Sequence, residues 1–129
     1  QLVILALGAN DALRGLSPQT LRDNLEAMIQ ESHKAGARVI LVGMYAPRNW
    51  DEDYQQRFNA VYPELAQRYG LAFYPFLLEG VYGHPELLLE DGIHPNAAGV
   101  MRMVSGVLPL VEAELKHLHA EAGTPASRP

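Results

Sequence analysis

Short apolar runs alternate with amphipathic stretches along most of this chain of 129 residues. Leu2–Leu7 and Arg38–Met44 are continuous and rich in β-branched side chains, which is typical of strands buried on both faces of a parallel sheet. Leu71–Tyr74 is a shorter run of the same kind. The pattern therefore predicts three strands, separated by segments that carry turn residues at their ends.

In the segments between these runs, apolar residues recur at the spacing of an α-helix. Ser17 and the proline after it are typical of an N-cap and a first helical turn, and the helix that follows is predicted to end near Gly36. A second stripe over Tyr54–Tyr69 predicts a helix that ends at Gly70. Pro63 lies inside this stripe and is expected to kink or split the helix.

The last third of the chain predicts less regular structure. Pro75–Glu90 is a long connection with a short helix near Glu86–Leu89. A helix is predicted over 96–107, and a second helical segment carries Pro109 in its first turn. Small residues, prolines and a few charged residues predominate over 119–129, which we expect to be a disordered tail.

The elements follow one another in the order β-α-β-α-β-α. This alternation predicts an α/β fold, a flavodoxin-like three-layer α/β/α sandwich with a right-handed, parallel sheet. Residues 1–118 are expected to belong to a single domain without internal repeats. Because the chain opens directly on an apparent central strand and has no initiator Met, we expect it to be the C-terminal portion of that domain, with N-terminal strands missing.

Composition narrows the classes of function. The net charge of −5, without a cluster of Lys or Arg, argues against a surface that binds nucleic acid or anionic membranes. Cysteine is absent, which excludes disulfides, thiolate metal sites and thiol nucleophiles. Hydrophobic residues make up 48% and charged residues 19%, as expected for an ordinary globular domain.

Asp91 and His94 form the first candidate site. Gly92 allows a tight turn between them, so the carboxylate can hold one imidazole nitrogen and leave the other free to accept a proton, which is half of a catalytic triad. The alternative is a turn with a capping carboxylate. A metal site formed with His84 is a further alternative, but the spacing matches no established metal motif, and neither a metal nor a cofactor is predicted.

Gly8-Ala9-Asn10-Asp11 is the second candidate site. It follows the first strand, and sites in open α/β sheets gather outside the C-terminal ends of the strands. The Asn10 amide can donate a hydrogen bond to a developing oxyanion, although Asn10 and Asp11 could alternatively cap a turn. The loop 45–53 and Asp91–His94 follow the second and third strands and are expected at the same edge.

Two motifs of this chain resemble those of the SGNH (GDSL-type) hydrolase family. They are Gly-x-Asn-Asp after an apolar strand and, further on, Asp-x-x-His-Pro-Asn-Ala-Ala-Gly. The likeness is closer to thioesterase-I-like arylesterases and lysophospholipases, and it extends to about Leu118. It implies a serine hydrolase of carboxylic esters or thioesters that forms an acyl-enzyme. In this family Asn10 would match the oxyanion-hole asparagine, His94 the general base and Asp91 the acid that orients it.

The resemblance also implies an acyl pocket beside the base, and it suggests a periplasmic or secreted protein. The apolar loop after the second strand favours a small acyl or aryl substrate. The residues predicted to contact this substrate are Asp11, Tyr45 and Ile93. The alternative for Tyr45, as for Trp50 in the same loop, is that its ring simply covers helix ends.

The family's Gly-Asp-Ser motif, with its nucleophilic serine, has no counterpart in this chain. Ser17, Ser32 and Ser105 lack the context of a nucleophile elbow. We therefore expect an N-terminal fragment of the same protein to supply the serine and to pair with Leu2–Leu7, with a homodimer as the alternative. A different alternative is a non-catalytic flavodoxin-like binding or assembly module.

Overall fold

The computed structural model describes residues 1–122. Its strands are β1 (Leu2–Leu5), β2 (Arg38–Val42) and β3 (Ala72–Tyr74), and its helices are α1 (Ala9–Leu13), α2 (Pro18–Lys34), α3 (Glu52–Tyr69) and α4 (Ala97–Ala122), with a 3₁₀ helix at Pro85–Leu87. The strands form one parallel sheet in the order β1-β2-β3. The predicted α/β order and the parallel sheet are confirmed.

Helices cover both faces of the sheet. The α2 and α3 helices pack together on one face, where Val39 and Leu41 of β2 enter the hydrophobic core between the layers. Alternate strand residues point the other way. Val42 pairs in register with Tyr74, whose phenol lies directly against Gly106 of α4. The α4 helix therefore forms the third layer of the sandwich.

The predicted cap at Ser17 and the predicted helix end at Gly70 are both observed. The Ser17 hydroxyl oxygen accepts a hydrogen bond from the backbone N–H of Gln19 at 3.1 Å and caps α2. Asp51 caps α3 in the same way, and Gly70 ends that helix in the left-handed conformation that glycine adopts without strain.

Both internal prolines are accommodated within continuous helices, so a split at Pro63 and a break before Pro109 are wrong. Pro63 lies on the exposed side of α3, where water can solvate the carbonyl that the missing N–H leaves unpaired. Buried residues on either side of Pro63 hold the helix against the sheet. Pro109 likewise lies within α4. This helix continues through His119–Ala122, where a tail was predicted, and the rest of that tail lies outside the described residues.

The first strand is less buried than its apolar sequence predicts. It ends at Leu5 rather than Leu7, and of its four residues only Leu5 is buried. Ile4 pairs in register with Ile40, which places it on the α4 side of the sheet, yet 49% of its surface is exposed. Within residues 1–122, β1 is an edge strand with one unpaired side.

A row of exposed apolar side chains continues along α4. This row, the α4 stripe, repeats at helical spacing and consists of Met101, Val104, Leu108 and Leu115. Exposed apolar residues at such spacing mark a helix face that usually packs against another element. None of the described helices is long and apolar enough to cross a bilayer.

Candidate active site

Asp91 and His94 form the hydrogen-bonded pair that their spacing predicts. Asp91 Oδ2 lies 2.6 Å from His94 Nδ1. Its other oxygen, Oδ1, accepts hydrogen bonds from the backbone N–H groups of Ile93 at 2.9 Å and His94 at 3.0 Å. Gly92 makes this tight turn possible with a φ of +69°.

These hydrogen bonds stabilise the ionised form of the carboxylate. The bond from the His94 imidazole, followed by those from the backbone N–H groups of His94 and Ile93, lowers the pKa of Asp91 to about 2. An ionised carboxylate at Nδ1 favours the tautomer that carries its proton on this nitrogen. The Nε2 atom has no hydrogen-bond partner among the described residues, and the side chain is 70% exposed. His94 can therefore take up a proton from a group that approaches from solvent.

The loop that carries His94 is tied to the start of α4. The backbone N–H of Leu89 donates to the His94 carbonyl at 2.7 Å. Asn96 Oδ1 accepts from the N–H of Gly99 at 2.9 Å, which caps α4, and Asn96 Nδ2 donates to the Glu86 carbonyl at 2.9 Å. A side chain at Gly99 would collide with the Leu87 carbonyl. The imidazole is thus presented at a rigid junction between loop and helix.

Asn10 lies in the short helix α1, where a turn was predicted. Gly8, with a φ of +123°, occupies the N-cap position, and no side chain caps this helix. Asn10 is exposed, and no described residue hydrogen-bonds to its amide. The alternative that Asn10 serves as a turn cap is therefore not observed. Asn10 and Asp11 line a small cavity of about 290 Å³.

A larger cavity of about 640 Å³ is lined by residues from all three loops that were predicted to carry the site. Ala9, Tyr45 and Ile93, which follow β1, β2 and β3, all line it. The expected gathering of these loops at the carboxyl edge of the sheet is thus observed. In the sequence, Asn10 directly follows Ala9, and His94 directly follows Ile93.

Two aromatic residues of this cavity escaped prediction from sequence. The ring of Phe76 stacks on that of Tyr45 with centroids 4.5 Å apart, and it meets Tyr82 edge-on at 6.2 Å. Both lie in the irregular connection after β3, where no periodicity marks the inward-facing positions. Trp50 does not line the cavity; its indole N–H donates to the Ala12 carbonyl at 2.6 Å.

The alternative metal site is not formed. His84 lines the large cavity but pairs with Glu86, with its Nδ1 3.3 Å from Oε1. In residues 1–122, no group of three or more histidine and carboxylate side chains is placed to hold a metal ion.

The hydroxyl of each serine in the described region hydrogen-bonds within or at the end of its own helix. Ser17 caps α2, while the hydroxyls of Ser32 and Ser105 donate to carbonyls one turn earlier in their own helices, at 2.8 Å and 3.0 Å. None of the three hydrogen-bonds to His94. The part of the chain that the structure describes therefore contains the Asp91–His94 pair without a serine hydrogen-bonded to it.

Comparison with known proteins supports the family suggested by the sequence. Residues 1–102 match the GDSL-like lipase/acylhydrolase family. The chain belongs to this family. Within it, the chain is 40% identical over 111 residues to "Esterase TesA" of Pseudomonas aeruginosa, covering 86% of this chain and 55% of that protein. It is 38% identical over 94 residues to "Thioesterase 1/protease 1/lysophospholipase L1" of Escherichia coli strain K12, covering 73% and 45%.

The fold of this GDSL-like family member agrees with that of a solved relative. A crystal structure of TesA superimposes with a TM-score of 0.78 at 41% identity, covering 84% of this chain and 60% of that one. The chain spans about half the length of the curated relatives it matches. The resemblance to SGNH (GDSL-type) hydrolases is confirmed.

Proposed function

We propose that this chain is part of a serine hydrolase that cleaves carboxylic esters or thioesters through an acyl-enzyme. The observation that carries the proposal is the Asp91–His94 pair, whose 70% exposed imidazole leaves Nε2 without a partner among the described residues, while the adjacent residue Ile93 lines an apolar cavity. Membership of the GDSL-like lipase/acylhydrolase family supports this function over that of a non-catalytic binding module.

His94 acts as the general base in this mechanism, and Asp91 orients its ring. A serine oxygen bonds to the substrate carbonyl carbon while its proton passes to Nε2 of His94. Collapse of the tetrahedral intermediate expels the alcohol or thiol, which takes that proton. Water then attacks the acyl-enzyme in the same way and releases the acid. The Asn10 amide donates a hydrogen bond to the oxyanion in both steps.

The large cavity accommodates the acyl or aryl part of the substrate. Its volume of about 640 Å³ suits a group of modest size. Tyr45 and Phe76 form a stacked pair in this cavity, and Ile93, which precedes His94 in the sequence, also lines it. Asp11, beside Asn10, would contact the polar part of the substrate near the oxyanion. A cavity of this kind suits the acyl substrates that the names of the relatives imply, since these names include an esterase, a thioesterase and a lysophospholipase.

The nucleophilic serine would come from a segment outside these 129 residues. Such a segment, from the same protein, would supply a strand beside the unpaired side of β1 and a helix over Ile4 and the α4 stripe. Three observations support this arrangement: the side of β1 that is unpaired within residues 1–122, the exposed apolar side chains of Ile4 and the α4 stripe, and the greater length of the relatives. A homodimer that pairs two β1 edges is the alternative. A periplasmic or secreted location, suggested by the family resemblance, belongs to the same proposal.

The test uses the full-length protein to which these 129 residues belong. We expect it to hydrolyse p-nitrophenyl esters and acyl thioesters, and a fluorophosphonate probe should label one serine outside the present residues. The His94→Ala variant should lose both hydrolysis and labelling. Labelling of Ser17, Ser32 or Ser105, or an absence of hydrolysis by the folded protein, would contradict the proposal. A secretion signal and fractionation of the native protein would test its location.

A further inference from the structure

Three aromatic residues donate hydrogen bonds, through a phenol O–H or an indole N–H, to the segment that carries Asn10. Tyr62 Oη donates to the Leu7 carbonyl at 2.8 Å, on the N-terminal side of Asn10. Trp50 Nε1 donates to the Ala12 carbonyl at 2.6 Å, on the C-terminal side. Tyr54 Oη donates to the carbonyl of residue 16 at 2.7 Å, further along the same segment. Residues 7–16 are thus hydrogen-bonded to α3 and the loop before it at three points.

The rings of these residues form one continuous row. Trp50 and Tyr54 have centroids 5.7 Å apart, Tyr54 and Phe58 are 6.0 Å apart, and Phe58 and Tyr62 are 5.9 Å apart. Phe58 is fully buried and connects the two tyrosines within the core. Such aromatic contacts fix ring positions as well as burying area. The donor atoms at their tips are therefore held in place by the core of the domain.

Tyr62 has the closest relation to the loop before Asn10. Its side chain is almost completely buried, and its phenol oxygen lies directly beneath Gly8, so that any side chain at position 8 would collide with it. Burial, with the nearby Asp11 carboxylate as a smaller cause, raises the pKa of Tyr62. The phenol is therefore protonated at neutral pH and is available as a hydrogen-bond donor to Leu7.

The position of Asn10 depends on contacts made from outside α1. No described residue hydrogen-bonds to its side chain, and α1 is too short to be rigid by itself. A donor in an oxyanion hole is effective only when it is held in place before charge develops. The backbone on either side of Asn10 must therefore be fixed from outside the helix.

We propose that Tyr62 is a positioning residue for the oxyanion donor Asn10, acting through the Leu7 carbonyl and the close packing beneath Gly8, with Trp50 as its counterpart beyond Asn10. This inference rests on the proposed function, because it assumes that Asn10 stabilises an oxyanion. Tyr62 itself does not touch the substrate. Its effect should therefore appear in kcat and should depend on the presence of Asn10.

The experiment is a double-mutant cycle in the full-length enzyme. Tyr62→Phe keeps the ring and removes only the donor, and it should lower kcat about ten- to hundredfold, the size of effect expected when a catalytic group is displaced by up to about 1 Å. KM should change less than about threefold, since uniform binding is retained. In the Asn10→Ala background, Tyr62→Phe should lower kcat by less than about twofold, because the group that it positions is gone.

Controls separate positioning from general loss of structure. Active-site titration with a fluorophosphonate corrects kcat for any unfolded fraction. Tyr69→Phe removes a phenol from the same helix, whose oxygen hydrogen-bonds to Glu26 and Gln30 far along α2, and should leave kcat unchanged. Trp50→Phe is the second variant: it removes the donor to Ala12 and should show the same dependence on Asn10, even if Tyr62→Phe folds poorly.

Three outcomes would overturn the inference. If Asn10→Ala lowers kcat strongly while Tyr62→Phe and Trp50→Phe leave it within about twofold, the oxyanion role stands and the positioning role fails. If the Tyr62→Phe loss is equally large with and without Asn10, Tyr62 acts through general stability rather than through Asn10. A kcat unaffected by Asn10→Ala itself would remove the oxyanion role and this inference together.

Discussion

Asp91 holds His94 at two points, with Oδ2 2.6 Å from the imidazole Nδ1 and Oδ1 3.0 Å from the backbone N–H of the same residue. One carboxylate thereby orients both the ring and the backbone that carries it. This arrangement is local in sequence and is present without the serine of the proposed catalytic machinery.

In the full-length enzyme, His94→Ala should lower kcat by at least about 10⁴-fold, since the base is lost. Asp91→Asn should cost roughly 10⁴-fold, as in the serine-protease example in which the wrong tautomer results. His117→Ala is the matched control. Ester hydrolysis by the His94→Ala enzyme within tenfold of the parent would remove this pair from the mechanism.

Asn10→Ala should lower kcat by about 10²–10³-fold and change KM little, because an oxyanion donor acts mainly in the transition state. Steady-state kinetics on a p-nitrophenyl ester would measure both constants, with Asn49→Ala as an exposed asparagine control. Thermal unfolding of both variants should be close to that of the parent, since the Asn10 amide makes no bond within the described residues. A variant that loses stability but keeps its kcat would assign Asn10 a structural role.

The lowered pKa of Asp91 predicts a small pH dependence of stability. The folded state binds a proton at this carboxyl only near pH 2, whereas the unfolded chain binds one near the usual value of 3.8. The contribution of Asp91 to stability is therefore complete above about pH 4 and is lost as the pH falls towards 2. The exposed position of the pair keeps this contribution modest.

Urea unfolding of the parent and of Asp91→Asn between pH 2 and 6 would measure this dependence. The difference in unfolding free energy should grow as the pH rises from 2 to 4 and then level off. Asp53→Asn, which removes an exposed carboxylate paired with Arg57, controls for the change in net charge. Parallel curves for the parent and Asp91→Asn would show that the Asp91–His94 bond does not persist in solution.

Tyr45→Ala should reduce kcat/KM for aryl esters about three- to tenfold, since it removes the ring that stacks on Phe76 in the large cavity. Esters with only a short acyl group and an alkyl leaving group should be affected less. Tyr45→Phe keeps the stacked ring and should restore activity towards aryl esters. Equal losses for all substrates, not restored by Tyr45→Phe, would contradict a substrate-binding role for the ring.

The 129-residue chain by itself should hydrolyse no p-nitrophenyl ester and should self-associate, because within the described residues β1 has an unpaired edge and the apolar side chains of Ile4 and the α4 stripe are exposed. Size-exclusion chromatography with light scattering would measure this. Ile4→Lys should reduce association, and a peptide that carries the Gly-Asp-Ser strand should restore some hydrolysis. A stable, active monomer would require a nucleophile within these residues.

Local chemistry was predictable from sequence, since it depends on neighbours only a few residues apart. The Ser17 cap, the stop at Gly70 and the hydrogen bond between Asp91 and His94 all arise from short-range geometry that residue types determine. The parallel α/β order was predictable too, because apolar runs of strand length alternate with stripes at helical spacing.

Only the tertiary structure decided the features that depend on distant contacts. Packing against the sheet keeps α3 continuous through Pro63, which local propensity alone would break. The burial of β1 depends on which elements flank it, so its apolar sequence could not reveal that Ile4 is half exposed. The contact of Tyr62 with Leu7 joins residues 55 positions apart, and no periodicity predicts it. Such contacts form only when helix, loop and sheet come together.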